Sequence, residues 1–375
     1  MYMSSSETLR YQRFLAQAGD EDGDFPLASG AAGRKVLVTG AGGYIGSALV
    51  KALATADPAQ VILLDSSEHN LFEIHRHLAL AHERLPNEAI LGSVTEAGLL
   101  GSIFSRIRPE IVYHAAAFKH VPLLELNPLA AVRNNAIGTY RLAQAAISHN
   151  ASKLILVSTD KAVNPHSIMG ASKRLAELTV AALSGPQCRM NAVRLGNVIG
   201  SSGSVVPILL QQISERRPLT VTDPLASRYF ISLPEAVRAI LAGGVAECSG
   251  RILLPELGEP ERIAGLARFL AATATNADGG EIPIRFIGLG PGEKLNEDLL
   301  YRTEVREGFT TGALGVILTP SPAPAEMHSI MEQLIARLAS NDLSGLIRVI
   351  STAVPEYEPS RLVLAAMGVD ERAVR

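Results

Sequence analysis

Residues 35–50 read KVLVTGAGGYIGSALV. A short apolar run stops at Gly40, and apolar residues at helical spacing resume from Tyr44. That pattern predicts a buried strand, a glycine turn and a helix. Gly40, Gly43 and Gly46 follow a G-x-x-G-x-x-G spacing. Small residues there let the backbone approach a pyrophosphate, and the following helix offers free N–H groups and a positive dipole end. The turn therefore predicts a dinucleotide site formed by Gly40, Gly43, Tyr44, Ile45 and Gly46. VILLD (61–65) reads as the second strand. Asp65 at its end, followed by Ser66, would accept hydrogen bonds from the adenosine ribose. It would also repel a 2′-phosphate, which favours NAD over NADP.

Working outward, AILG (89–92), IVYHAAA (111–117), KLILVST (153–159) and CRMNAVR (188–194) are further strands. Helical stretches fall between them at 95–107, 128–149 and 169–184. Alternating strands and helices with blocky apolar strands predict an α/β fold: a Rossmann-type, doubly wound parallel sheet covered on both faces. Ser93 and Val94 follow the third strand, and Ala115 and Ala116 end the fourth, so the same cleft is expected to use them. The NAD-binding domain is placed at 34–200. A smaller mixed α/β substrate-binding lobe is placed mainly at 201–323, with 234–254 packing back on the sheet. A helical tail covers 324–375. Residues 1–33 are polar, with one short helix at 6–18, and read as a mobile extension.

The chain has 375 residues, enough for two domains at roughly 150 each. Lys plus Arg is 34 against 37 Asp plus Glu, a net charge of −3. That balance gives no general claim on nucleic acid or an anionic membrane. At 47% hydrophobic residues, the chain has ample material for a core. The two cysteines, Cys188 and Cys248, lack C-x-x-C spacing, which argues against a disulfide scaffold or a cysteine zinc site. No apolar run is long enough to span a bilayer, and no secretion signal is read at the start, so a soluble cytoplasmic protein is expected.

The chemistry is carried by STDKAVNPHSIMGASKR, 158–174. Thr159, Asp160 and Lys161 would sit at the carboxyl edge of the sheet, where α/β folds bind ligands. Met169 and Lys173 are four residues apart, on one helical face. Short-chain dehydrogenases place a Tyr and a Lys at this spacing; here the Tyr slot holds Met169, which cannot ionise. Another group must then handle the proton. A partly desolvated Lys161 losing its proton near neutral pH, beside a protonated Asp160, would supply an acid/base pair.

Read together, TGAGGYIGSAL, HAAAFKHVPLLELNP, STDKAVNPHSIMGASKR, RLGNVIGSSGSVVP, SRYFISLPEA, PGEKLNE and PEYEPS resemble the nucleotide-sugar 4,6-dehydratases of bacterial surface-polysaccharide synthesis, in the extended short-chain dehydrogenase superfamily. The Met slot and the tail ending PEYEPS are similar to the large membrane-anchored members, and the likeness is to their soluble catalytic domain. The resemblance implies a UDP-N-acetylhexosamine substrate, foremost UDP-N-acetylglucosamine, with bound NAD. It implies Lys161 as base at C5, Asp160 as acid at the departing C6 hydroxyl, Thr159 on the C4 oxygen and Lys173 on the nicotinamide ribose. Lys119, His120 and Asn135 would border the sugar. Asn197 and Arg228 would contact the diphosphate or uridine, and Glu293 the uridine ribose. The chain departs from the family at Ser93, usually Asp, at Gly290, usually Arg, and at Tyr44, usually small; Arg285 is a candidate replacement for the missing Arg. Tyr44 is expected to narrow the pyrophosphate approach.

Two other readings remain: a nucleotide-sugar 4-epimerase and a catalytically inactive NAD-sensing protein. His75, His77 and His82 do not share one helix face, so no metal is expected. Ser158 lacks partners for acyl transfer. Related folds dimerise through paired helices, which predicts a homo-oligomer built on 128–149 and 169–184.

Overall fold

The computed structural model describes residues 30–274, 282–310 and 313–368. The expected N-terminal helix at 6–18 lies outside them.

Nine strands form one sheet. They are β1 (Lys35–Thr39), β2 (Gln60–Asp65), β3 (Asn87–Leu91), β4 (Ile111–His114), β5 (Lys153–Thr159), β6 (Arg189–Leu195), β7 (Arg251–Leu254), β8 (Val305–Phe309) and β9 (Gly315–Leu318). The order across the sheet is β8-β9-β7-β6-β5-β4-β1-β2-β3. From β3 to β7 neighbouring strands are parallel, whereas β9 runs antiparallel to both β7 and β8. Strand order reverses between β1 and β4, which opens a crevice at their carboxyl ends. β8 and β9 fall within the segment expected to belong to the substrate lobe, yet they extend the main sheet. Short antiparallel strands after a loop carry little periodic signal, so sequence alone gave them no partner.

Both sheet faces are covered. Helices Tyr44–Ala54, Glu68–Ala81 and Leu233–Val245 bury one face around Val38, Leu63, Ile155 and Val193. The last of these begins with a capping box, in which Ser232 and Glu235 satisfy each other's backbone N–H groups. Helices Ala97–Ile107, Gly138–Ser148 and Ile168–Leu183 cover the other face around Leu37, Ile62 and Leu156. A separate small core joins helices Val205–Ser214 and Ile263–Thr273 to strands Leu219–Val221 and Ile284–Phe286. It forms a lobe of its own.

The stretch 128–149 is not one regular helix. A short helix Pro128–Ala131 leads into a π-helical turn, Val132–Ile137, before the α-helix Gly138–Ser148. One apolar face of the helices expected to pair with a second copy is covered from within. Tail helices Pro324–Ala339 and Leu343–Ala353 lay Met327, Met331, Leu334, Ile347 and Ile350 against Ile137, Tyr140, Leu175 and Leu178. No described helix is long and apolar enough to cross a membrane.

Candidate active site

The crevice over β1 and β4 forms a cleft. Gly40, Gly43, Asp65 and Ser66 line one part of it. Ser93, Val94, Ala115 and Ala116 line another part. Gly40 has φ +65°, and a Cβ there would lie 2.7–2.8 Å from the backbone of Ala115 and Ala116. Only glycine permits both the left-handed turn and that approach. A Cβ on Gly46 would stand 1.9 Å from the Gly40 carbonyl oxygen, so this glycine seats the helix on its own turn. Gly42, outside the expected spacing, is equally constrained: a Cβ would meet the Asn70 backbone at 2.5 Å. The Gly42 N–H donates to Asp65 Oδ2 at 2.9 Å, and the Ser67 N–H to Oδ1 at 2.8 Å. Asp65 is thereby fixed at the cleft with lone pairs left for a ribose.

The helix from Tyr44 has no side-chain cap and no acidic residue in its first turn. Its free N–H groups and dipole suit a pyrophosphate. Tyr44 does not crowd that approach; its hydroxyl donates to the Ile199 carbonyl at 2.9 Å. Ser93 does not stand alone in place of an acid, because its N–H donates to Glu96 Oε1 at 2.7 Å. The cleft thus fits a dinucleotide by shape, by backbone donors and by the acid at its rim. Beneath it His114 bridges Thr39 Oγ1 at 2.7 Å and Thr139 Oγ1 at 2.9 Å. Burial, with Lys173 nearby, pushes its pKa down to about 3, so the ring is neutral.

The acid/base pair lies where β5 ends. Thr159 closes the strand, and Asp160–Ala162 turn through a single 3₁₀ turn. Asp160 is fully buried. Its Oδ1 accepts from Thr159 Oγ1 at 2.9 Å and Lys161 Nζ at 3.0 Å, while Oδ2 has no hydrogen-bond partner among the described residues. Thr159, expected on a sugar oxygen, thus turns its proton to Asp160. Lys161 Nζ also donates to Asn197 Oδ1 at 2.7 Å and stands 3.5 Å from Glu297 Oε1. Burial alone would lower the lysine's pKa. The Asp160 and Glu297 carboxylates outweigh both burial and the nearby Arg228, so the net shift is upward. The expected neutral Lys161 is therefore corrected: in this state it is an ammonium with three acceptors.

Glu297 escaped the sequence reading, although it ends the quoted PGEKLNE stretch. It is buried, 2.9 Å from Lys294 Nζ and 3.8 Å from Arg228 Nε. Arg228 donates to the carbonyls of Ser227, Lys294 and Leu295, so it anchors the 290s loop rather than standing free for a diphosphate. Glu293 accepts from the Gly290 N–H at 2.9 Å, a loop-holding bond that already engages one oxygen of the expected ribose contact.

Met169 is buried in the apolar cluster shared with the tail, and no ionisable group takes its slot. One turn on, Lys173 donates to the Val157 carbonyl at 2.6 Å. Burial lowers its pKa to about 8, against the opposing pull of Glu177. Asn135 is not a free sugar contact. Its amide accepts from the Phe118 N–H and donates to the Phe118 carbonyl and Ser172 Oγ, all within 2.8–3.0 Å. The π-turn presents that amide to both neighbours. Lys119 and His120 are exposed, and the His120 ring packs on Gly203 of the Gly/Ser loop. Arg285 is exposed on the lobe strand.

Behind the pair runs a buried ionic network. Arg194 donates to both oxygens of Glu177 and both of Glu304. Arg174 joins Glu177, Glu304 and the tail's Glu356. Ser158 donates to Glu177 at 2.8 Å, so the network grips β5 one residue from Thr159. Burial would raise Glu304; its bonds to Arg194 and the charges of Arg194 and Arg174 hold it at about 2.

A dinucleotide cleft at the switch point, with a Lys on the adjoining helix, defines an extended short-chain dehydrogenase class. The profile of the polysaccharide biosynthesis protein family matches residues 36–317, and the chain belongs to that family. It is 40% identical over 275 residues to the capsular polysaccharide biosynthesis protein CapD of Staphylococcus aureus, covering 72% of this chain and 46% of CapD. The chain thus spans about half the length of that relative. It is 32% identical to a UDP-N-acetylglucosamine 4,6-dehydratase (inverting) of Campylobacter jejuni, covering 71% of this chain and 77% of the relative. Identity to a UDP-glucose 4-epimerase of Rickettsia typhi is 31%, with 74% and 81% covered. Among solved structures, the dTDP-glucose 4,6-dehydratase DesIV of Streptomyces venezuelae shares the fold at TM-score 0.60 and 22% identity, with 70% and 87% covered.

Proposed function

We propose that the protein is an NAD-dependent 4,6-dehydratase of a UDP-N-acetylhexosamine, foremost UDP-N-acetylglucosamine. It would form the 4-keto-6-deoxy sugar nucleotide for surface polysaccharide. The observation that carries this reading is the pair of a buried Asp160 and a partly exposed Lys161 beside a tyrosine slot filled by Met169. A 4-epimerase needs a base only at the C4 hydroxyl. Eliminating water across C5 and C6 needs a base and an acid together.

Gly40, Gly43, Asp65 and the uncapped helix would hold NAD, with Lys173 on its nicotinamide ribose. Bound NAD would accept hydride from C4 and, once reduced, return it to C6, leaving the reaction redox neutral. The pair stores one proton. Moving it across 3.0 Å from Lys161 Nζ to Asp160 Oδ1 gives a neutral amine and a neutral acid. The amine then takes the C5 proton, acidified by the C4 ketone. Asp160 gives its proton to the departing C6 hydroxyl, which leaves as water. Lys161 then returns a proton to C5 as hydride reaches C6, and one proton from solvent, matching the C4 hydroxyl proton released to solvent during oxidation, restores the starting Asp⁻/Lys⁺ pair. A sugar covering Lys161, whose side chain is 23% exposed, would remove the water that favours the charged pair.

The test is proton NMR of the protein with UDP-N-acetylglucosamine in deuterated water. A 6-methyl signal with deuterium at C5 is expected. UDP-N-acetylgalactosamine without deuterium would establish an epimerase, and no conversion with NAD bound would leave a sensor. Lys161→Ala is expected to lower product formation by about 10²–10⁴-fold with NAD retained. Wild-type turnover by that variant would overturn the base assignment.

A further inference from the structure

We infer that Glu297 is a positioning residue that holds the Lys161 side chain in its resting, proton-bearing arrangement, so that the sugar nucleotide must loosen this contact before Lys161 can act. The inference rests on the dehydratase reading for its consequence, but not for its geometry. Lys161 Nζ faces three acceptors: Asp160 Oδ1 at 3.0 Å, Asn197 Oδ1 at 2.7 Å and Glu297 Oε1 at 3.5 Å. An ammonium has three N–H donors and no lone pair, so Lys161 in this arrangement cannot take a substrate proton. Asp160 and Asn197 are fixed by β5 and by the strand Asn197–Val198. Glu297 comes from a loop outside the sheet and makes the longest of the three contacts.

That loop belongs to the substrate side. Arg228 holds it through the carbonyls of Lys294 and Leu295, and Lys294 Nζ donates to the Val163 carbonyl at 2.9 Å. Every charged group facing the pair bears on the balance. Asp160 and Glu297 favour the ammonium, and Arg228 opposes it. Lys161 foremost, with Lys294 and Arg228, in turn keeps Glu297 ionised against its burial. A sugar nucleotide that shifts this loop lengthens the 3.5 Å contact first, because Glu297 alone of the three partners comes from outside the sheet edge.

The test compares Glu297→Gln, which keeps shape and loses charge, with Glu297→Asp, which keeps charge. Competitive acetic anhydride labelling of the nucleotide-free protein, read at Lys161 by mass spectrometry across pH, reports its protonation without any assay of turnover. Removing an opposed charge at this distance is expected to lower the labelling midpoint of Glu297→Gln by about one pH unit. Glu297→Asp should stay near wild type. If the dehydratase reading holds, the acid limb of kcat/KM in Glu297→Gln moves to lower pH by a similar amount. An unchanged Lys161 midpoint in a folded Glu297→Gln protein overturns the inference. Failure of the dehydratase reading would show separately, as absence of the keto sugar in the wild type.

Discussion

At Lys173, function and stability oppose each other. The lysine is nearly buried, with the Val157 carbonyl as its hydrogen-bond partner among the described residues, and burial lowers its pKa from 10.5 to about 8. In the unfolded chain it binds its proton up to about 10.4. Between those values the unfolded state holds more protons, so this residue's contribution to stability rises with pH from about 8 to 10.4. Below pH 8 the folded protein bears the cost of a buried ammonium, on the order of 2–3 kcal/mol. Lys173→Met is therefore expected to gain stability relative to wild type at pH 7 and to lose that gain by pH 10, by denaturant titration at each pH. A pH-independent difference would show that Lys173 is not strained by burial. The variant should also lose NAD affinity. The residue types at 159–161 and 173 were legible because their spacing follows one strand and one helix. The protonation of Lys161 was not, because it depends on Glu297 as well as on Asp160, and Glu297 is brought near only by tertiary folding. The same holds for Arg228 and Asn135: sequence displays a polar group but not the carbonyls that occupy it.

At the scale of elements, the strand-turn-helix at 35–54 was readable almost residue by residue, since period and glycine spacing are local. What each glycine does was less so. Gly42 lies outside the G-x-x-G-x-x-G spacing, yet an added Cβ would strike the Asn70 backbone at 2.5 Å. Gly101 sits inside the helix Ala97–Ile107 with nothing within 4 Å of an added Cβ. Gly42→Ala should destabilise by about 1–3 kcal/mol, the usual cost of overpacking, and weaken NAD binding through Asp65. Gly101→Ala should stabilise by about 0.5–1 kcal/mol through helix propensity. Thermal unfolding of the two variants should show midpoint shifts of opposite sign; shifts of the same sign would break the distinction. The π-turn at Val132–Ile137 was illegible for the converse reason. Its residues, VRNNAI, carry no period that separates a π-turn from an α-helix, and the bonds of Asn135 to Phe118 and Ser172 form only in the folded chain.

For the whole molecule, the tail decides which surfaces are free. Its helices were legible from their periodicity, but an amphipathic pattern announces an apolar face without naming what covers it. Here the partner is the helix pair expected to meet a second copy. Met327, Met331, Leu334, Leu346, Ile347 and Ile350 are all buried in that contact. Polar links fasten its end: Glu356 to Arg174, the Glu358 N–H to the Pro165 carbonyl, and Ser360 to Glu125, whose other oxygen accepts from the Ile168 N–H at 2.7 Å. The tail therefore clamps the first turn of the helix that carries Met169 and Lys173. Ending the chain after Pro322 would expose the apolar faces of helices Gly138–Ser148 and Ile168–Leu183. Such a patch favours association. Sedimentation velocity should show the shortened protein self-associating more than the full chain at equal concentration. Leu334→Asp in the full chain, which weakens docking without removing a helix, should move in the same direction while far-UV circular dichroism stays near wild type. If both variants sediment as the full chain does and remain folded, the tail is not what keeps this face from a second copy.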